Sequence, residues 1–129
     1  MANELVVSVT VNAGGVPLVA TQQRASGSAM LVIQEEIAGS GTDVQVAASI
    51  DEGALEGLAI LSDRDLTLKT NSSSVPDDTF ALKAGVPVIW TTGSATAKPL
   101  GDDVTALFAT NAGSQAAKLT IVAITDATP

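Results

Sequence analysis

The run DLTLKTNSSSVPDDTFALKAGVPVIW, residues 65–90, decides the fold class. Leu66, Leu68 and Thr70 alternate with Asp65, Thr67 and Lys69, and Phe80 and Leu82 alternate with Thr79, Ala81 and Lys83. Successive side chains of an extended chain point to opposite faces, so a period of two with apolar residues on one side marks a half-buried strand. Between these strands, Ser72-Ser73-Ser74-Val75-Pro76-Asp77-Asp78 collects residues that turn the chain or bond to their own backbone, which predicts a hairpin loop. Past an Ala84-Gly85 turn, Val86, Val88 and Trp90 begin another strand. Pro87 has no N–H to give to a ladder, so this strand is expected at a sheet edge or starting just after the proline.

The same pattern recurs outward in both directions. Leu5, Val7, Val9 and Val11 share one face of a strand whose other face carries Ser8 and Thr10. Val44, Val46, Ala48 and Ile50 point inward from a segment that turns Gln45 and Ser49 outward. Further strands are expected at Met30 to Ile37, Leu58 to Ser62 and Val16 to Gln23, the last entered through an Ala13-Gly14-Gly15 turn. Thr105 to Thr110 and Lys118 to Thr125 flank Asn111-Ala112-Gly113-Ser114, and the tolerance of Asn111 and Gly113 for positive φ predicts a closing hairpin. The only helical signal is a turn or two over Glu52 to Leu58, weakened by Gly53 and Gly57. Leu66 to Asn71 and Leu107 to Asn111 both end in Thr-Asn, which shared turn chemistry explains without an internal duplication. Eight to ten short strands with polar turns and no alternating helices predict an all-β, antiparallel β-sandwich or jelly-roll-like single domain over residues 1–129.

Composition narrows the function classes. A hydrophobic fraction of 46% supports a folded core, and 129 residues bury roughly two-thirds of the unfolded chain's surface. With only Phe80, Phe108 and Trp90 as aromatics, the core is built from Val, Ile, Leu and Ala, and stacking platforms for sugars or bases are scarce. Fourteen acidic residues against six basic ones give a net charge of -8, which repels phosphate backbones and argues against nucleic-acid binding. No apolar run approaches the roughly 20 residues of a membrane span, and residues 1–11 lack the pattern of a signal peptide, so synthesis in the cytoplasm and no membrane partner are expected.

The chain has neither histidine nor cysteine, which removes the commonest general base, the thiol nucleophile and the main transition-metal ligands. No catalytic, cofactor-binding or metal site is expected. The acidic pairs Glu35-Glu36, Asp77-Asp78 and Asp102-Asp103 read as loop acids, since neighbours on a strand cannot face one another across a cleft. Asp63 and Asp65, together with Asp77 or Asp102, offer oxygens to a hard cation such as calcium, but a local ion pair with Arg64 is the simpler reading. Trp90, on the expected edge strand, and Lys98 and Pro99, in the Gly93 to Gly101 segment, are the candidate interface residues.

The segment Asp65 to Asn71, the loop Pro76-Asp77-Asp78-Thr79, the run Leu82 to Pro87 and the stretch Val104 to Asn111 resemble small β-sandwich virion proteins of tailed bacteriophages, most closely the capsid decoration or cement proteins. The likeness covers the chain from Asp65 onward. It implies a non-enzymatic subunit on the capsid exterior of the virion, forming a homotrimer that clamps the major capsid protein of the assembled head. Tail, baseplate or head-fibre components share the same architecture. A carbohydrate-binding or adhesion module is the alternative from another class, with Trp90 and the acidic loops as its only resources.

Overall fold

The computed structural model describes residues 3–126. Its strands are β1 (Asn3–Ala13), β2 (Val16–Gly27), β3 (Ala29–Ile37), β4 (Val44–Val46), β5 (Leu55–Ser62), β6 (Leu66–Thr70), β7 (Thr79–Leu82), β8 (Val88–Thr91), β9 (Leu107–Thr110) and β10 (Ala117–Thr125). A single 3-10 turn, Glu52–Ala54, precedes β5, so the helical signal over Glu52 to Leu58 shrinks to its first residues and the remainder is strand.

Strands β3 to β10 form two four-stranded antiparallel sheets, ordered β3-β10-β5-β8 and β4-β9-β6-β7. The pairing is nested: β3 with β10, β4 with β9, β5 with β8 and β6 with β7. The chain is thus one long antiparallel ribbon folded back at the β6–β7 loop and rolled up. The roll is closed by the pairings β10–β5 and β9–β6. This is the double-sheet jelly roll, the arrangement anticipated from the strand spacing.

The core lies between the sheets and follows the predicted alternation. Leu58, Leu68, Leu119, Ile121 and Ile37 are almost wholly buried, and small Ala109, Ala117 and Ala123 let the layers approach. Phe80 and Trp90 pack only at its margin. Val44 and Ala48 are half-buried and Val46 and Ile50 buried, as predicted, although ladder pairing in this segment is confined to Val44–Val46 and a bridge from Ile50 to Val104. Strand β8 starts at Val88 and forms a sheet edge, so both consequences of Pro87 are realised.

One predicted element is corrected. β9 and β10 are strands, but they belong to different sheets and do not form a hairpin. The connection through Asn111 is a sheet-to-sheet crossover, and the positive-φ non-glycine residues are Ser40, Asp43 and Asn71. Asn111 is chosen for its side chain: its buried amide donates to the carbonyls of Ile37 (3.1 Å) and Gln115 (2.8 Å) and accepts from Gly113 N–H (3.0 Å). Local turn chemistry looks alike for a hairpin and for a pinned crossover; only long-range pairing separates them.

The repeated Thr-Asn has a physical basis in both copies. Thr70 Oγ1 accepts from Asp78 N–H (2.8 Å), and Thr110 Oγ1 accepts from Asp43 N–H (3.0 Å). Asn71 Oδ1 accepts from Thr105 N–H (2.7 Å) and Ala106 N–H (3.3 Å), while its amide donates to Asp103 O (2.7 Å) and Asp77 Oδ2 (2.7 Å). Each Thr-Asn therefore ends a strand by tying down two loops.

Candidate interaction surface

Strands β1 and β2 stand outside the sandwich as a two-stranded ribbon. They are joined by Gly14 (φ 58°) and Gly15 (φ 80°), two consecutive left-handed residues of the kind a tight primed hairpin turn requires. The register runs from Asn3 opposite Gly27 to Ala13 opposite Val16, with a slip at Val11/Asn12 that leaves Leu18 as the bulged residue. Pairing assigns the side chains to two unlike faces. Leu5, Val7, Val9, Val11, Val19 and Ala25 share one with Thr21 and Gln23; Glu4, Ser8, Thr10, Gln22, Arg24 and Ser26 share the other with Val6 and Ala20. The polar face is laced by Arg24 to Glu4 (3.1 Å), Arg24 to Gln22 (2.9 Å) and Gln22 to Ser8 (3.3 Å).

The base of the apolar face crosses the outside of sheet β3-β10-β5-β8 at one end. Ala25 sits over Gly57 so closely that a Cβ there would lie 2.6 Å from the alanine methyl, and Leu5 is beside it. Ile124, on the outer side of β10, is fully buried beneath this contact. At the β8 edge the Gln23 side-chain oxygen accepts from Ser94 (3.2 Å) and Thr91 (3.4 Å) hydroxyls. Beyond Gln23 the ribbon leaves the sandwich: residues 8–22 are all exposed, an overhang of about 20 Å at the usual rise per strand residue. The alternation places Val9 and Val11 on the buried face of a half-buried strand; in the single chain they are 39% and 46% exposed.

The two outer faces of the sandwich differ in the row next to the arm, although Gln34, Glu36, Lys118 and Thr120 lie farther along the same face of sheet β3-β10-β5-β8. On sheet β3-β10-β5-β8 the row beside the arm's base reads Val32, Val122, Ala59, Ile89 across the four strands, without a polar side chain. The equivalent row on the opposite sheet reads Gln45, Phe108, Lys69, Thr79. Val32 is 51% exposed, and Met30 and Leu61 on the same face are also exposed. A polar outer face is the usual solvated side of an antiparallel sheet, whereas an apolar one needs a cover.

Of the residues singled out from the sequence, Trp90 and Lys98 come together. Trp90 pairs with Leu58 on the inner face of β8 and packs against the core margin. Lys98 Nζ lies 5.6 Å from the centre of its ring while donating to Glu52 O (3.0 Å) and forming an ion pair with the Glu52 carboxylate. Pro99 follows, half-buried, and leads into the buried Leu100. Trp90 and Lys98 fasten the Gly93 to Gly101 segment to its own sandwich. The exposed apolar surface lies instead on the arm and the outer sheet. That surface was legible in the sequence as one uninterrupted alternation, Leu5 to Val11, followed by a two-glycine turn; nothing in the alternation says whether its cover belongs to the same chain.

Several loop carboxylates are engaged with backbone. Asp63 accepts from Lys118 N–H (2.8 Å), Asp65 from Ala84 N–H (2.9 Å), Asp78 from Gly101 N–H (3.1 Å) and Asp103 from Glu52 N–H (2.9 Å). Arg64 lies between Asp63 and Asp65 but turns to the Ala116 carbonyl (3.2 Å) and the Gln115 side chain, so the expected local ion pair is replaced by ties to the crossover. An open cleft of about 560 Å³ beside Arg64 is lined by these already bonded groups and by Asn111 to Gln115. Among the described residues no group of three or more Asp or Glu side chains is placed to hold a metal ion. No helix among them is long and apolar enough to cross a membrane. No protein-family model, curated protein or solved structure matches this chain.

Proposed function

We propose that the chain is a non-enzymatic structural subunit of a phage virion, a capsid decoration protein that binds the outside of the assembled head and stabilises the lattice of the major capsid protein. The carrying observation is the arm: an amphipathic ribbon overhanging a small jelly roll, with the distal half of its apolar face in water. Such an element has no use within one chain and suits a protein whose work is holding neighbours. The loop carboxylates of Asp63, Asp65, Asp78 and Asp103, spent on fastening the chain to itself, support the same reading, as does the resemblance of the chain from Asp65 onward to decoration proteins. An acidic subunit is better placed on the outside of a head than against its DNA.

The mechanism is linkage. A ligand that binds only the assembled shell stabilises it by RT ln(1 + [L]/Kd), about 2.7 kcal/mol per site at a hundredfold excess over Kd. The test is co-sedimentation of the purified protein with empty, expanded capsids of the phage or prophage whose genome encodes it. Pelleting with the shells and a raised capsid melting temperature are expected. Protein left wholly in the supernatant, with an unshifted capsid melting temperature, contradicts the proposal.

A further inference from the structure

We infer that the cover of the apolar outer row is the overhanging arm of a second copy of this chain. Three observations carry this. The first is continuity: within one chain the apolar face of the arm already packs on this face of the sheet, over Gly57 and Ile124, and the uncovered row Val32-Val122-Ala59-Ile89 is the adjacent one. A second arm laid parallel to the first meets the same kind of surface the first one covers. The second is length: four strands about 4.8 Å apart span roughly 15 Å, and the overhang of about 20 Å crosses them.

The third is area. Val9, Val11, Val16, Leu18 and Val19 on the arm and Met30, Val32 and Leu61 on the sheet are between 39% and 61% exposed. Together they leave on the order of 700 Å² in water, more than half of it on the arm, which by itself matches the roughly 300–600 Å² of the largest apolar patch on a typical monomer. Each contact sets the arm of one copy against the sheet of the next, so this sum is the surface of one whole contact, smaller than the roughly 1,600 Å² of a standard interface, and a closed ring repeats it at every junction. An isolated two-stranded ribbon is at best marginally stable, so the overhang also gains its own order from the contact.

Each chain then gives an arm and receives one. The contact is heterologous, donor surface to acceptor surface, and forms a closed ring wherever the rotation between copies completes a circle. Because the association involves only this chain, it stands or falls independently of whether the assembly decorates a capsid.

The absence of cysteine makes the test clean. An affinity-tagged Val11→Cys variant and an untagged Val122→Cys variant are mixed, allowed to exchange, and treated with a short bis-maleimide. The expected product is a covalent dimer containing one copy of each, formed in clear excess over the dimer that either variant gives alone, and lost when Val32→Asp is added to the Val122→Cys chain. Failure of the mixed dimer to form overturns the inference, as does cross-linking of Val11→Cys with itself at the level of the mixture, which would mean that arms pair with arms. Circular dichroism of each variant confirms the fold before mixing.

Discussion

Asn111 is a single side chain that closes the roll. Its amide and carbonyl together hold the end of β3, the crossover and the entry to β10, in a site 2% exposed. Truncation strands the buried Ile37 carbonyl, worth about 1–3 kcal/mol when left unsatisfied, and frees the part-buried Gln115 carbonyl and Gly113 N–H. We therefore expect Asn111→Ala to lower stability by about 3 kcal/mol, measured by urea unfolding. Leu68 is fully buried between the sheets, and Leu68→Ala is expected to cost about 3 kcal/mol by cavity formation. Asn71, more exposed than Asn111, should cost less on truncation although it makes more bonds, because water replaces part of what is lost. At this scale the sequence was informative about residue type and mute about partners. Asn111 and the Thr-Asn pairs stood out as turn chemistry, and their bonds reach residues up to 74 positions away.

At the scale of elements, alternation located nearly every strand, since a half-buried strand writes its two faces into the sequence. It misjudged pairing between β9 and β10, and cover for β1. Period two specifies that a face is to be buried, and is silent on what buries it. Gly57 is the junction that holds the arm to the sandwich. Gly57→Val places a branched side chain where Ala25 and Leu5 now sit, and should lift the ribbon without emptying the inner core. Hydrogen exchange checks this: amides of Leu5 and Val7 are expected to lose protection while those of Leu58 and Leu119 keep it. Equal loss at both sets would mean that the arm and the sandwich unfold as one unit.

For the whole molecule, the jelly roll follows from nested pairing, which joins residues far apart in the chain and places this protein among the slow-folding, high-contact-order topologies. The strand spacing made the sandwich legible; the candidate surface was not, because it depends on one row of one sheet lacking a polar residue where the equivalent row of the other carries Lys69 and Gln45. Trp90, Lys98 and Pro99 are chemically distinctive in a chain poor in aromatic and basic residues, and Trp90 and Lys98 are engaged with their own sandwich. The charge of -8 on each chain opposes association at long range, so added salt should tighten the self-contact, the opposite of what a contact held by ion pairs would do.

The most direct measurement is the solution mass of the full chain by light scattering, beside a Val11→Asp variant of unchanged circular dichroism. The account predicts a whole-number multiple of 12.9 kDa for the native chain, three if the ring is the trimer expected of a decoration protein, and a single 12.9 kDa for the variant. A native chain that stays at 12.9 kDa at every salt concentration contradicts it.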